Sequence, residues 1–409
     1  MKCRFCASEA TLTFVDLVNA PPSNAFLTAA QLHQAEPYFP LRVLVCEQCW
    51  LVQVEETRAF HEIFNAEYAY YSSYSHTWLK HCESYVERMA SRLELGASSF
   101  VVEVASNDGY LLQYFVARGV PCLGIEPTAG TAAAARQKGI ETREVFWGAE
   151  AAAALVGERG RADLMLGNNV LAHVPEINDF VEGFRVALAA RGTLTFEFPH
   201  LLNLIRLNQF DTIYHEHYSY LSLGFVRDLL LAHGLIVYDV EELPTHGGSL
   251  RVYARHAGHD ELPVAPAVAG ILEREKAAKL TERSGYAGMQ RAVDEIRGDL
   301  LTFLYEQRRA GRRVVAYGAA AKGNTLLNYC GIKGTALIEF VIDASPHKQG
   351  LHLPGSHIPI VHEREIHTRR PEFVIVLPWN IRDEITQQLA YVRSWGGRFV
   401  TCIPQLSID

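Results

Sequence analysis

The stretch Tyr214-His215-Glu216-His217-Tyr218-Ser219-Tyr220 holds the densest set of side chains able to move protons. A histidine titrates near neutrality, and one beside a carboxylate suits proton abstraction. Tyrosine hydroxyls can stabilise the enolate that abstraction leaves behind. Alternation along an extended segment would point His215 away from the neighbours of His217. A metal pair would need a third ligand that the sequence does not show, and the order is not H-E-x-x-H. The competing reading is an exposed polar helix start. Asn168-Asn169-Val170-Leu171-Ala172-His173-Val174 follows an apolar run and would face its polar groups to a ligand, although His173 alone could equally be structural. Tyr68-Ala69-Tyr70-Tyr71-Ser72-Ser73-Tyr74-Ser75-His76 would either close over a pocket or pack in a core. Thr245-His246-Gly247-Gly248-Ser249 joins two strand-like runs; Gly-Gly marks a tight hairpin, whose tip could touch substrate at a site mouth.

Cysteine supplies a second chemistry. Cys3-Arg4-Phe5-Cys6 and Cys46-Glu47-Gln48-Cys49 are C-x-x-C knuckles, and two knuckles complete the sulfur shell of structural zinc. The alternative is a pair of redox couples. With all four positions filled by sulfur, the ion has no catalytic role. About 60 residues with little core would need such a staple.

These groups must be held by elements. Phe100–Ala105 reads as a strand, Ser106-Asn107-Asp108-Gly109 as a tight turn and the residues from Tyr110 as a helix. The next strand, Pro121–Glu126, ends in an acid placed to take ribose hydroxyls; the competing role for that acid is a helix cap. Strands at 162–167 and 192–197 continue the alternation, which implies a parallel sheet with ligand at the carboxyl ends of its strands. The turn lacks the G-x-G-x-x-G of a pyrophosphate site. Its acids suit S-adenosylmethionine, a cationic ligand without phosphate. Long helices are expected between about 265 and 310. A second strand–turn–helix unit then begins at Val314–Gly318. Its small residues, free amides and Lys322 favour a phosphate, and Asp343 ends its second strand at the ribose position. One phosphate-free cationic ligand and one nucleotide diphosphate explain the pairing.

The chain has 409 residues, enough for two or three domains. Its net charge of −8 argues against a nucleic-acid partner. No apolar run approaches the roughly 20 residues that span a bilayer, and the N-terminus does not read as a signal peptide, so a cytoplasmic protein is expected.

Taken together, the paired knuckles, Pro22-Ser23-Asn24-Ala25-Phe26, Glu103 to Gly109, Asn168 to Val174, Tyr214 to His217 and Gly318 to Leu327 resemble the S-adenosylmethionine-dependent C-methyltransferases that act on nucleotide-linked 4-keto-6-deoxy sugars. The resemblance covers essentially the whole chain. It implies an α/β protein with a small zinc-binding domain (1–65), a Rossmann-like methyltransferase domain (66–260), and a helical connection leading to a second Rossmann-like domain (261–409) that completes the sugar-nucleotide site. It implies zinc on Cys3, Cys6, Cys46 and Cys49, and His217 as base with Glu216, Tyr214, His173 and Tyr68 beside it; Tyr70 or Tyr71 could replace Tyr68. The donor would touch Glu103, Ala105, Ser106, Asn107, Gly109, Tyr110, Glu126, Pro127, Asn168 and Asn169. Ser72, Ser73, His246, Lys322, Asn324 and Asp343 are expected on the substrate, a dTDP-linked 4-keto-6-deoxyhexose. Methylation at C3 is more frequent in the family than at C5. Ala105 stands where glycine is usual. A monomer or small homo-oligomer is expected. The rival enzyme reading is a nicotinamide-dependent nucleotide-sugar epimerase or dehydrogenase.

Overall fold

The computed structural model describes residues 1–56 and 71–409. Tyr68 and Tyr70 lie outside the described residues.

The N-terminal residues form an antiparallel sheet of Leu12–Ala20, Phe39–Val45 and Val52–Val54. Val15 and Leu17, with Leu41, Val43 and Val45, alternate inward along their strands, the period-two burial that a half-covered sheet requires. The fourth strand is not local. Ser219–Tyr220 pairs with Val52–Gln53, and Val54 N donates to Tyr218 O at 3.1 Å. The segment just after His217 therefore completes the sheet of the cysteine-bearing region, and a domain ending near residue 65 would leave that sheet one strand short.

The middle sheet has seven strands in the order Leu235–Leu243, Ser249–His256, Leu188–Pro199, Ala162–Asn168, Val101–Val104, Cys122–Ile125 and Thr142–Arg143. The last five are parallel, and the first two join as an antiparallel hairpin. The third sheet runs Ile360–Val361, Val341–Ile342, Val314–Tyr317, Phe373–Val376, Arg398–Thr401 and Ser407–Ile408, parallel except at its final pair. Both α/β units expected from the sequence are present. Helices Pro266–Ala277 and Met289–Arg309 connect them. The Met289–Arg309 helix buries Met289, Val293, Ile296, Leu300, Phe303 and Leu304 at three- and four-residue spacing. They pack with Phe14, Leu41 and Val43 and with Val314 and Leu327, so the first and third sheets share one core. Cys3, Cys46 and Leu51 join the core of the middle sheet instead. The N-terminal region is wedged between the two α/β units.

Candidate active site

The two knuckles repeat one turn. Ala7 N donates to Cys3 O at 2.9 Å and Trp50 N to Cys46 O at 2.7 Å, and Ala7 and Trp50 both adopt positive φ, 60° and 61°. The turns converge the sulfurs: the four Sγ atoms lie within 4.8 Å of one another. A tetrahedral zinc with Zn–S bonds near 2.3 Å needs sulfurs about 3.8 Å apart, so the donor set fits. Arg4, inside the first knuckle, reaches out of it. Its guanidinium donates to Val54 O at 2.7 Å and to Pro175 O at 3.5 Å, and lies 5.1 Å from the Tyr218 ring.

At the carboxyl end of the middle sheet, Ala105 (φ 59°), Asn107 (φ 49°) and Gly109 (φ 75°) turn the chain out of Val101–Val104. Left-handed backbone costs a residue with a Cβ roughly 1–2 kcal/mol, so Ala105 sits where glycine would be unstrained. Glu126 holds this turn: Oε2 accepts from Asn107 N at 2.9 Å and Oε1 from Thr128 N at 2.9 Å. The third sheet repeats the device. Asp343 Oδ2 accepts from Ala319 N at 2.8 Å and its Oδ1 from Ser345 N at 2.8 Å.

One cavity of about 590 Å³ opens onto both turns. Glu126, Pro127, Ala105, Asn107, Tyr110, Asn168 and Asn169 line it from the middle unit. Ala320, Ala321, Lys322 and Lys348 line it from the C-terminal unit, with Ala321 opening the helix Ala321–Tyr329. Tyr214, Glu216, His217, His173, Ser72 and His246 also face it. Glu103, Ser106 and Gly109 stand behind the first turn, outside the lining, and burial drives the Glu103 carboxyl well above the usual carboxylate range. Ser73 is taken up by Lys138 Nζ at 2.7 Å, and Asn324 and Asp343 also lie outside the lining. Tyr71 is half-buried and absent from the lining as well. Sequence reasoning did not place Lys348, Trp78, Asn24 or the apolar wall of Val145, Phe146 and Trp147 in the site. The Lys348 ammonium lies 5.3 Å from the Phe26 ring, a contact across 322 positions that no local sequence signal announces.

His217 is set by its neighbours. Its Nδ1 donates to Thr212 O at 2.8 Å, which fixes the proton there and leaves Nε2 as the lone-pair nitrogen; the Tyr214 hydroxyl donates to that nitrogen at 2.8 Å. Burial, then the nearby His173, push His217 well below the ordinary histidine range. The His173 ring meets it edge-on at 4.6 Å between centroids, and burial lowers His173 to about 4. Residues 214–217 form a turn, with His217 N donating to Tyr214 O at 2.9 Å, rather than the extended segment or helix start that the sequence suggested. That turn sends His215 out of the cavity to Pro40 O at 3.2 Å.

His246 sits on the hairpin tip at φ 53° and accepts from Asn169 Nδ2 at 3.2 Å. Burial, then Lys322, lower it to about 4. The tip is anchored from below: Thr245 Oγ1 donates to Glu197 Oε1 at 2.8 Å, and Glu197, fully buried, pairs with the equally buried Arg251 at 2.6 Å. Gly247 is needed there because an added Cβ would come within 2.3 Å of the Trp379 ring. Trp379 in turn passes its Nε1 proton to Asp211 Oδ2 at 2.7 Å, with Lys322 Nζ 4.9 Å from its ring.

Residues 3–64 match the family described as "Putative zinc binding domain", 74–240 "Methyltransferase domain" and 244–404 "C-methyltransferase C-terminal domain". The C-methyltransferase NovU of Streptomyces niveus is 33% identical over 404 residues, 99% of this chain and 96% of that protein. The chain belongs to the C-methyltransferase family. The alternative of a nicotinamide-dependent epimerase or dehydrogenase is thereby set aside. Among solved structures, the magnesium protoporphyrin IX methyltransferase of Synechocystis PCC 6803 covers 43% of this chain and 78% of its own at 14% identity and a TM-score of 0.34. An S-adenosylmethionine-dependent methyltransferase of Clostridium acetobutylicum covers 44% and 92% at 10% identity and 0.36.

A methyltransferase needs a methyl donor, for which S-adenosylmethionine is the expected one, and the cysteine cluster calls for zinc. The residues present fit both. Four thiols make the metal shell. For the donor, Asn168 Oδ1 and Asn169 Oδ1 at the cavity wall are buried without a hydrogen-bond partner among the described residues, and Glu126, Glu176 and Asp179 line the same cavity. Acceptor oxygens and carboxylates suit an ammonium, a sulfonium and ribose hydroxyls.

Proposed function

We propose that this C-methyltransferase methylates a ring carbon, C3 rather than C5, of a nucleotide-linked 4-keto-6-deoxy sugar, probed best as the dTDP-linked hexose, in the cytoplasm. One observation carries the reading: a single cavity is lined by acids and amide oxygens of the middle unit and by two lysines of the C-terminal unit, with the uncharged Nε2 of His217 facing it. Lys322, Lys348 and the amides at Ala320 and Ala321 suit a diphosphate, for which lysine is a point-charge partner and a helix N-terminus a ready cradle.

His217 Nε2 removes the proton on the carbon beside the C4 ketone. Taking that proton turns Nε2 into a donor, so the Tyr214 hydroxyl must rotate from donor to acceptor. Its own proton is then free to stabilise the enolate oxygen. Glu216, at the same cavity, stabilises the imidazolium that forms. S-adenosylmethionine supplies an electrophilic methyl on a sulfonium. Glu126, Asn168 and Asn169 orient that donor, while Trp78, Val145, Phe146 and Trp147 exclude water. A positioned base contributes about 10²–10⁴-fold.

Incubation with methyl-labelled S-adenosylmethionine and a panel of nucleotide-linked 4-keto-6-deoxy sugars tests this. Label bonded to a ring carbon is expected for at least one sugar. Label on oxygen, or transfer to free sugars in preference to nucleotide-linked ones, would overturn it.

A further inference from the structure

Asn24 belongs to the cysteine-bearing region, yet it reaches the cavity and its Nδ2 donates to Glu216 Oε1 at 2.7 Å. The loop that delivers it leaves the strand Leu12–Ala20 through Pro21-Pro22 and turns at Ala25 N to Pro22 O, 3.1 Å. Beyond it the chain is clamped to the C-terminal unit. Leu27 N donates to His352 O at 3.0 Å and His352 N to Leu27 O at 2.8 Å. The Phe26 ring lies 5.3 Å from Lys348 Nζ, and Pro21 packs so closely on Gly355 that an added Cβ would sit 2.9 Å from its ring. Asn24 is thus presented by a loop that both prolines and both neighbouring units hold fixed.

We propose that Asn24 is a positioning residue for the proton-abstraction step, acting through the Glu216 carboxylate. The proposal rests on the reading of His217 as base. A hydrogen bond from an amide to a carboxylate is charge-assisted and directional, so it fixes which way Glu216 faces. Lys322 and Lys348 line the same cavity. Losing the bond from Asn24 would let the carboxylate turn, and its charge would no longer be held in the orientation that stabilises the imidazolium on His217. The N-terminal region then contributes to the reaction through this side chain as well as through the strand pairing that holds Ser219–Tyr220.

The test is a double-substitution cycle on the full-length, zinc-loaded protein with Asn24→Ala, Glu216→Gln and both together. It reads kcat, KM for the donor, and deuterium exchange at the sugar carbon beside the ketone. Asn24→Ala is expected to lower kcat and exchange by about tenfold or more, the worth of a hydrogen bond to a charged group. KM for the donor should not change. In the Glu216→Gln background the same substitution should cost no more than about twofold. Asn24→Asp keeps the shape and removes the donor, so it should lose at least as much as Asn24→Ala. Parent activity in Asn24→Asp, or an equal loss from Asn24→Ala in both backgrounds, would overturn the proposal. Absence of exchange in the parent protein would strike at the base assignment instead, and the kcat cycle would still decide the role of Asn24.

Discussion

His217 is proposed as the base from the two partners that share its ring. The Thr212 carbonyl claims one nitrogen and the Tyr214 hydroxyl addresses the other. Burial keeps the ring uncharged well below the ordinary histidine range. The active form is the neutral one, so lowering its pKa extends the active plateau toward acid. Methyl transfer should be flat from pH 7.5 to 6.5 and fall only below that; a half-maximal rate at or above pH 6.5 would show that a different group titrates. Glu126 is the residue-scale test of the donor site. Glu126→Ala removes an acceptor from a turn that presents Asn107 and should weaken S-adenosylmethionine about 10–150-fold in calorimetry. Unchanged affinity would remove it from the site. The histidines, Tyr214 and Glu126 were legible in sequence because their chemistry is dense or their place at a strand end is diagnostic. Asn24 and Lys348 were not, since each reaches the cavity only through contacts between segments hundreds of positions apart.

Among the elements, the short strand Ser219–Tyr220 has the largest consequence. It ties the turn at residues 214–217 to the sheet that the cysteine knuckles close, with Arg4 packed on Tyr218 between them. Metal analysis should find one zinc per chain. Cys49→Ser should abolish it and unfold the first sheet, and with it the edge that Ser219–Tyr220 needs. Hydrogen exchange of residues 214–222 should therefore accelerate when zinc is removed. A metal-free protein with unchanged protection there would contradict the coupling. Strand and helix order in both α/β units could be read from apolar runs ending in small or acidic residues. The two-residue strand could not: its pairing is non-local, and a segment that short carries no periodicity of its own.

At the scale of the molecule, two quasi-equivalent units face one cavity with opposite charge. Each ties its first turn to an acid on the second strand, Glu126 to Asn107 and Asp343 to Ala319. The sequence showed both units and their different turn chemistry. It placed Asp343 at the ribose position by analogy, and in the structure both its oxygens accept from backbone amides of its own turn, as both oxygens of Glu126 do. Analogy of position carries over the fold more readily than the contact, because a cavity built at a junction is lined by whichever side chains the junction leaves open. The account turns on proton removal at that junction, and solvent exchange measures it without requiring methyl transfer. In deuterated buffer with a nucleotide-linked 4-keto-6-deoxy sugar, the parent protein should incorporate deuterium at the carbon beside the ketone. His217→Asn should slow this by about 10²-fold or more while calorimetry shows both ligands still bound. Exchange by His217→Asn at the parent rate would contradict the account.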